Sequence, residues 1–482
     1  MIGAGFEYQK KIFITHTTLH HSESALQTMV SWQKITLILL VGWVVIGLIM
    51  KPLETVRLGI AILSVTYFAD MFYSFYLVIK SLLYPSEINL SKKQLSQIDE
   101  GKLPLYSILC PLYKEAEVLP QFIRSIKNLD WPKESLEVIL LLEENDQETI
   151  DTAFRLNLPG YIKIEIIPHS LPKTKPKACN LGLAKANGEY LVIYDAEDRP
   201  EKDQLKKAFL AFKQSSKETV CLQAKLNYYN PKHNLLTRLF TAEYSLWFDL
   251  ILGGLQTAQT IIPLGGTSNH FRRSALVELR GWDPFNVTED CDLGVRLFKR
   301  GFKTALFNST TYEEANSNLR NWLRQRSRWI KGYLQTYLVH MREPINFYRQ
   351  HGMNMLFFQL IIGMRITFIL INPVLWLLTG AYFIFYAQFG ALIHSLYPTA
   401  IFYIAATSAV FGNFLSVYIY MIGVAKRKQW ELMKYIFLIP IYWLFASVAA
   451  MIAIYQLLIK PHYWEKTIHG FHLNSKMAVS RI

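Results

Sequence analysis

Two long apolar stretches near one end of the chain and three near the other enclose a polar middle of about 250 residues. A run of roughly 20 uncharged residues is what a bilayer-spanning helix requires, and backbone in lipid must satisfy its own hydrogen bonds. Trp32 to Met50 carries no charge after Lys34, and Leu58 to Leu83 is interrupted only by Asp70 and Lys80. Asp70 reads as a residue facing a partner helix or water, with a functional intramembrane carboxylate as the less favoured alternative. After the middle, Leu356 to Gln388 is too long for one ordinary span and holds Asn372-Pro373, which predicts a kinked or partly interfacial helix. Pro398 to Val424 is a further span, and Tyr435 to Ile459 a third apolar run containing Pro440.

Charge orients these segments. Ala425-Lys-Arg-Lys428 is a short basic loop, expected on the cytoplasmic side together with the polar middle. A third full span after the middle would carry Lys460, Lys466, Lys476 and Arg481 to the opposite side. The last run is therefore expected to be interfacial, re-entrant or a concealed hairpin. The division that follows is a polar N-terminal segment (1–31), two transmembrane helices (32–83), a cytoplasmic domain (84–348), interfacial and transmembrane helices (349–459) and a cytoplasmic tail (460–482).

The formal net charge of +14 invites a nucleic-acid reading, but Lys and Arg are scattered and no RNA- or DNA-binding module is visible. Cytoplasmic membrane faces and a phosphate-bearing substrate both account for it. Cys110, Cys179, Cys221 and Cys291 form no CxxC pair, so reduced cysteines are expected.

Within the middle, Tyr106 to Cys110, Leu136 to Leu142, Ile162 to Ile167 and Tyr190 to Tyr194 are short apolar runs that read as buried parallel strands. Helical patterns lie between them, at Val118 to Asn128 and Lys177 to Ala186. Alternation of this kind predicts an α/β, doubly wound sheet whose site lies at the carboxyl ends of the strands.

Polar clusters fall at those ends. Pro111-Leu-Tyr-Lys-Glu115 follows the first strand and would approach a nucleotide. Leu140-Leu-Leu-Glu143-Glu144-Asn145-Asp146 offers acceptors for a base and ribose, or is a solvated acidic loop. Lys173-Thr-Lys175-Pro-Lys177-Ala-Cys-Asn180 opens a helix, where cations and the dipole favour a pyrophosphate, or is a basic solvated turn. Tyr194-Asp195-Ala-Glu197-Asp198 has the spacing of a compact Mg²⁺ or Mn²⁺ site. Thr288-Glu289-Asp290 supplies a carboxylate able to take a proton from an attacking hydroxyl, or caps a helix. In Gln325-Arg326-Ser-Arg328-Trp329 the cations suit diphosphate and the indole suits a sugar face, while a basic amphipathic helix on anionic lipid fits too.

In this order the clusters resemble the D, DxD, TED, QxxRW series of processive family-2 glycosyltransferases, the group of cellulose, hyaluronan, curdlan and poly-N-acetylglucosamine synthases. The resemblance covers roughly Leu103 to His340 and the flanking helices, and it is nearest the curdlan-synthase-like exopolysaccharide branch. It implies a GT-A domain of mixed sheet, inserted between transmembrane helices in a bacterial inner membrane. It also implies a UDP-sugar donor, a glycan or lipid acceptor, and accessory export subunits as partners.

By that resemblance Asp290 is the general base, and Glu143, Lys177, Asn180, Asp195 and Arg328 hold the nucleotide-sugar. Thr267, Ser268, Glu289 and Trp329 meet the acceptor, and Asp195 with Glu197 or Asp198 binds Mg²⁺ or Mn²⁺. Trp464-Glu-Lys-Thr-Ile-His469-Gly470 corresponds loosely to a gating loop. Glu143-Glu144 and Glu197 stand where the family pattern has aspartates, which leaves Asp198 as an alternative metal ligand and Asp146 as an alternative base or ribose contact. The expected product is a β-linked polysaccharide from UDP-glucose, with N-acetylglucosamine as second choice. A non-processive enzyme acting on a lipid, and a membrane scaffold with a degenerate enzyme domain, are the rivals.

Overall fold

The computed structural model describes residues 4–8, 11–15 and 19–467 of the chain. A hairpin of β1 (Ala4–Tyr8) and β2 (Lys11–Thr15) precedes two long helices, α1 (Ser31–Met50) and α2 (Pro52–Leu83). The domain then builds β3 (Tyr106–Leu112), α3 (Leu119–Lys127), β4 (Leu136–Glu143), α4 (Gln147–Arg155), β5 (Ile162–Ile167), α5 (Lys175–Lys185) and β6 (Tyr190–Ile193). A two-residue β7 (Arg199–Pro200), α6 (Gln204–Gln214), β8 (Thr219–Tyr228), α7 (Leu235–Leu246), β9 (Asn269–Arg272), α8 (Glu289–Lys299) and β10 (Lys303–Glu313) complete it.

Eight strands form one sheet in the order β5-β4-β3-β6-β9-β8-β10-β7. The four strands expected from their apolar runs are mutually parallel neighbours. Beyond β6 the sheet turns mixed, because β9 runs antiparallel to both β6 and β8. The first strand of this sheet in the chain, β3, lies between β4 and β6, so the connections diverge there and leave a crevice beyond the carboxyl ends. Leu140, Leu141 and Leu142 on β4 are fully buried, as a strand covered on both faces requires. All four cysteines are buried and unpaired by disulfide.

After the sheet, α9 (Leu319–His340) lies beneath the domain, followed by three apolar helices: α10 (Met353–Ile384), α11 (Thr399–Lys426) and α12 (Trp430–Ile459). Among the described residues five helices, α1, α2, α10, α11 and α12, are long and apolar enough to cross a membrane. The α1–α2 hairpin starts and ends at the domain. Gln33 donates to the carbonyl of Leu338 at 2.8 Å, and Ser81 to that of Asp249. At the far end Arg57 donates to the carbonyl of Ser395, tying the α1–α2 turn to the α10–α11 connection.

Pro373 sits inside α10, and having no N–H it leaves the carbonyl of Ile369 without its helical donor. Ser447 of α12 donates to that carbonyl at 2.5 Å. The kink expected at Asn372-Pro373 is thereby turned into a fastening between two helices.

The last helix returns to the domain at both ends. Just before its start Lys426, the last residue of α11, donates to the carbonyl of Asp249 at 2.7 Å, and Arg427 in the connection pairs with the Asp249 carboxylate. Near its end Gln456 meets Lys331 of α9 at 3.2 Å, and Lys331 also donates to the carbonyl of Tyr463 at 2.6 Å. It is one helix, entered through a 3-10 segment, Trp430–Leu438, with Pro440 in its first α-helical turn, where a missing N–H costs nothing.

Candidate active site

Two cavities open at the carboxyl ends of the strands and share a wall of Lys175, Asp195, Glu197, Arg328 and Trp464. The smaller, about 120 Å³, is bounded by the β3 end (Pro111 to Tyr113, Glu115), Glu143 and Lys173 to Lys175. The larger, about 280 Å³, runs from Thr288, Glu289 and Asp290 past Trp329 to the apolar helices, where Ile366, Tyr420 and Trp443 line it.

Local sequence places each group. Pro176 in the first turn of α5 starts that helix at the cavity edge, putting Lys175 at its N-terminus. The Lys175 ammonium meets Asp195 at 2.5 Å and the carbonyl of Gly266 at 2.7 Å. Burial opposes its charge, but the carboxylates of Asp195 and Glu289 outweigh that and push its pKa up. Lys177, two residues on, points the other way. It is fully buried against Glu143 at 3.1 Å and lines neither cavity. The cation at the shared wall is therefore Lys175, a correction to the assignment of Lys177.

Asn180 is corrected likewise. Its side chain both donates to and accepts from the backbone of Trp282, at 2.8 and 2.9 Å. Gly281 before it has φ +67°, and a Cβ there would fall 2.2 Å from the Asn180 side-chain oxygen. Asn180 thus clasps the turn leading to the Thr288-Glu-Asp segment and lies off the nucleotide cavity. Asp146 caps α4 and accepts from the Lys114 amide, so it is not placed as a base.

In the acidic turn after β6, Asp195 and Glu197 face both cavities. Asp198 turns inward, accepting from the Thr267 hydroxyl and from the Asp195 amide at 2.7 Å. Thr267 lines the larger cavity with its hydroxyl committed to Asp198, while Ser268 is buried and bonds Thr311. The structure thus draws Asp198 and Ser268 away from ligand contact.

Glu313, at the end of β10, joins the larger cavity and was not singled out from sequence. The strand-end rule that found Glu143 and Asp195 applies equally to it. Burial, and then the crowding of neighbouring carboxylates, raises the pKa of Glu197, Asp198 (to about 8) and Glu313. So concentrated a set of hard oxygen donors is short of positive charge. Among the described residues no three His, Cys, Asp or Glu side chains converge into a closed metal cage. An ion held by one or two carboxylates and completed by phosphate oxygens and water matches that donor set.

Asp290 lies in the first turn of α8, one of its carboxylate oxygens accepting from the Cys291 amide at 2.8 Å. Burial lifts its pKa to about 6 and that of its neighbour Glu289 to about 8, with Arg328 lowering both. Arg328 stacks over Trp464 at 4.5 Å, and its Nε is buried with no hydrogen-bond partner among the described residues. Arg326 is spent elsewhere. It makes a two-pronged pair with Glu243 at 2.9 and 2.5 Å and donates to Tyr442 of α12 at 2.7 Å. Trp329 stands beside it, within the larger cavity.

Over the smaller cavity runs the segment after α12. Gln335 donates to Pro461, Trp464 backs Arg328, and Lys466 pairs with Glu115. Trp464 to Thr467 of the expected gating loop is thus at the cavity mouth, whereas its continuation to His469-Gly470 falls outside the described residues.

Comparison with known proteins bears on family and fold. A family model described as glycosyl transferase family group 2 matches residues 190–459, more than half the chain. The Bacillus subtilis (strain 168) protein "Probable glycosyltransferase YdaM" is 30% identical over 234 residues, 48% of this chain and 56% of that protein. The chain thus spans about half the length of that relative. A solved structure, mannosyltransferase PcManGT from Pyrobaculum calidifontis, superposes with a TM-score of 0.50 at 16% identity, covering 84% of this chain and 99% of that one. At that identity the likeness is one of fold, and it reaches the helices as well as the sheet. With its mixed GT-A-like sheet and flanking apolar helices, the chain belongs to glycosyl transferase family group 2.

Proposed function

We propose that this chain is a membrane-embedded, inverting glycosyltransferase that elongates a β-linked polysaccharide from a UDP-sugar, UDP-glucose first and UDP-N-acetylglucosamine second. The observation that carries the reading is the meeting of the two cavities at Asp195, Glu197 and Arg328, with Asp290 on the larger side. The smaller cavity takes the donor, Glu143 and Glu115 facing the nucleoside and Lys175 and Arg328 the diphosphate. A divalent ion of the Mg²⁺ or Mn²⁺ class would be held by Asp195 and Glu197, where it neutralises the leaving diphosphate. The Pyrobaculum enzyme is described in complex with GDP-Man and Mn²⁺, a donor and ion of this general kind. Asp290 takes the proton of the acceptor hydroxyl as it attacks, and Arg328, unpartnered at Nε, stabilises the charge that develops on the leaving group. Trp329 offers its face to the acceptor sugar.

A second reading has a lipid acceptor, because the larger cavity opens among apolar helices. The test supplies purified protein with a panel of UDP-sugars and GDP-mannose. Polymer and nucleotide release are expected with a UDP-hexose, lost on EDTA addition and restored by Mn²⁺ or Mg²⁺. A single glycolipid would select the lipid reading, and no nucleotide release from any donor would overturn both.

In the membrane arrangement proposed with it, α1, α2, α10 and α11 cross the bilayer and α12 lies along its cytoplasmic surface. Cysteines introduced at the exposed positions Lys428 and Lys460 are then expected to react with an impermeant maleimide from the same side. Labelling from opposite sides would require α12 to cross.

A further inference from the structure

Four polar residues of α9, Arg324, Arg328, Lys331 and Gln335, recur at steps of four, three and four. Such spacing places them within about 60° of one another, on a single face of the helix. The chain beyond α12 lies along that face in the opposite direction, and each residue of the stripe holds one point of it. Arg324 pairs with Glu465 at 3.5 Å, and Arg328 stacks over Trp464 at 4.5 Å. Lys331 donates to the carbonyl of Tyr463 at 2.6 Å, and Gln335 to that of Pro461 at 3.1 Å. The same strap, residues 460–467, carries Lys466 to Glu115 at the smaller cavity.

Lys331 and Gln335 are the buried rungs of this ladder. An ammonium out of reach of water must spend its three hydrogens on protein oxygens. Those of Lys331 go to the Gln456 side chain at 3.2 Å and to the carbonyls of Lys460 at 3.5 Å and Tyr463. Gln456 in turn donates to Glu465 at 2.7 Å, closing the strap onto the end of α12. Gln335 faces two ways. Its amide nitrogen donates both to Pro461 and, at 3.3 Å, to the carbonyl of Phe285, while its oxygen accepts from the Val287 amide at 3.0 Å. His462 of the strap makes a second crossing, one ring nitrogen lying 3.2 Å from the Phe285 carbonyl. Phe285 and Val287 lead directly into Thr288-Glu289-Asp290. The strap beside the smaller cavity and the segment that carries Asp290 thus hang from one buried amide.

We propose that Lys331 and Gln335 are positioning residues that couple the donor side of the reaction to the base side. Lys331 seats the strap, and with it Trp464 against Arg328. Gln335 passes the strap's position to the Asp290 segment through contiguous hydrogen bonds. A donor bound against the strap therefore sets the base before an acceptor hydroxyl arrives. The inference rests on the glycosyl-transfer reading above and adds two residues to it that touch neither donor nor acceptor.

The test is amide hydrogen exchange on the full-length protein in nanodiscs, with UDP and Mn²⁺ as the probe. When the probe binds, exchange in the wild type should slow about tenfold over both 460–467 and 285–290. Gln335→Met should keep the slowing over 460–467 and lose it over 285–290. Its UDP affinity should stay near that of the wild type while kcat falls about tenfold, a split that general loosening of the fold would not give. Lys331→Met should lose the slowing over both segments and bind UDP about tenfold more weakly. Should Lys331→Met fold poorly, Glu465→Ala removes a half-buried rung of the same ladder and should reduce the slowing over both. Slowing confined to 460–467 in the wild type overturns the coupling, and so does slowing of 285–290 that survives Gln335→Met. Failure of the donor reading is separate, seen as no binding of UDP or GDP by wild-type protein. The ladder is then judged without ligand, by whether Lys331→Met speeds exchange about tenfold over 460–467 and Gln335→Met does so over 285–290. Unchanged rates there overturn it.

Discussion

Asp290→Asn is expected to lower the rate of sugar transfer by about 10²–10⁴-fold, the range that a positioned general base contributes. The amide keeps the shape of the carboxylate and the hydrogen bond from the Cys291 amide, so folding and nucleotide binding should be retained. The measurement is nucleotide release with acceptor present, beside nucleotide binding by titration. Transfer at the normal rate in a folded variant would remove Asp290 from the role of base. The pH dependence carries the same assignment. Burial raises the pKa of Asp290 to about 6, and the base must be ionised to accept a proton. Activity should therefore be present above pH 6 and fall as pH drops through it. Arg328→Gln, by removing a cation that favours the ionised form, should move that acid limb upward.

The second large effect comes from a residue that touches no ligand. Gly332, one turn beyond Trp329 on α9, packs directly under Thr288. A Cβ there would stand 2.3 Å from the Thr288 hydroxyl oxygen and 2.6 Å from its backbone nitrogen. Backbone cannot step aside as a flexible side chain can, so Gly332→Ala must displace the segment that carries Glu289 and Asp290. Overpacking of this kind costs about 1–3 kcal/mol, and a shift of about 1 Å in reacting groups can cost on the order of 10²-fold in rate. The expected result is a folded protein with a lowered melting temperature, near-normal nucleotide affinity and a kcat reduced about 100-fold. An unchanged kcat would mean that the Thr288-Glu-Asp segment tolerates displacement.

The sheet was legible because its central strands are continuous apolar runs, a pattern that burial on both faces imposes on β3, β4 and β6. The carboxylates at their ends were legible for the same reason, since the carboxyl ends of these strands border the crevice. What could not be read was direction. Lys175 and Lys177 are two residues apart, roughly 200° around a helix, so one faces the cavity and the other the Glu143 side. Nothing in Lys-Pro-Lys says which. Thr267 and Ser268 are adjacent in a bend where Ser268 has φ +58°, and only Thr267 borders the cavity. Glu313 and the Arg326–Glu243–Tyr442 cluster escaped notice because each is completed by residues far away in sequence. The course of the last apolar run was bounded by charge alone, which left three alternatives, of which its single-helix course removes the concealed hairpin.

That helix also bears on how the protein is made. Tyr442, Trp443 and Ala446, which wall the larger cavity, all belong to α12, which follows its partners α9 and α10 in the chain. Its partners α9 and α10 are in place earlier, and Ser447 docks onto a carbonyl that Pro373 has already left open. During biogenesis the cleft therefore stays unsealed on that side until synthesis has passed this helix. The order of synthesis thus leaves this wall of the cavity, with Trp464 beyond it, to be built after the sheet and α10.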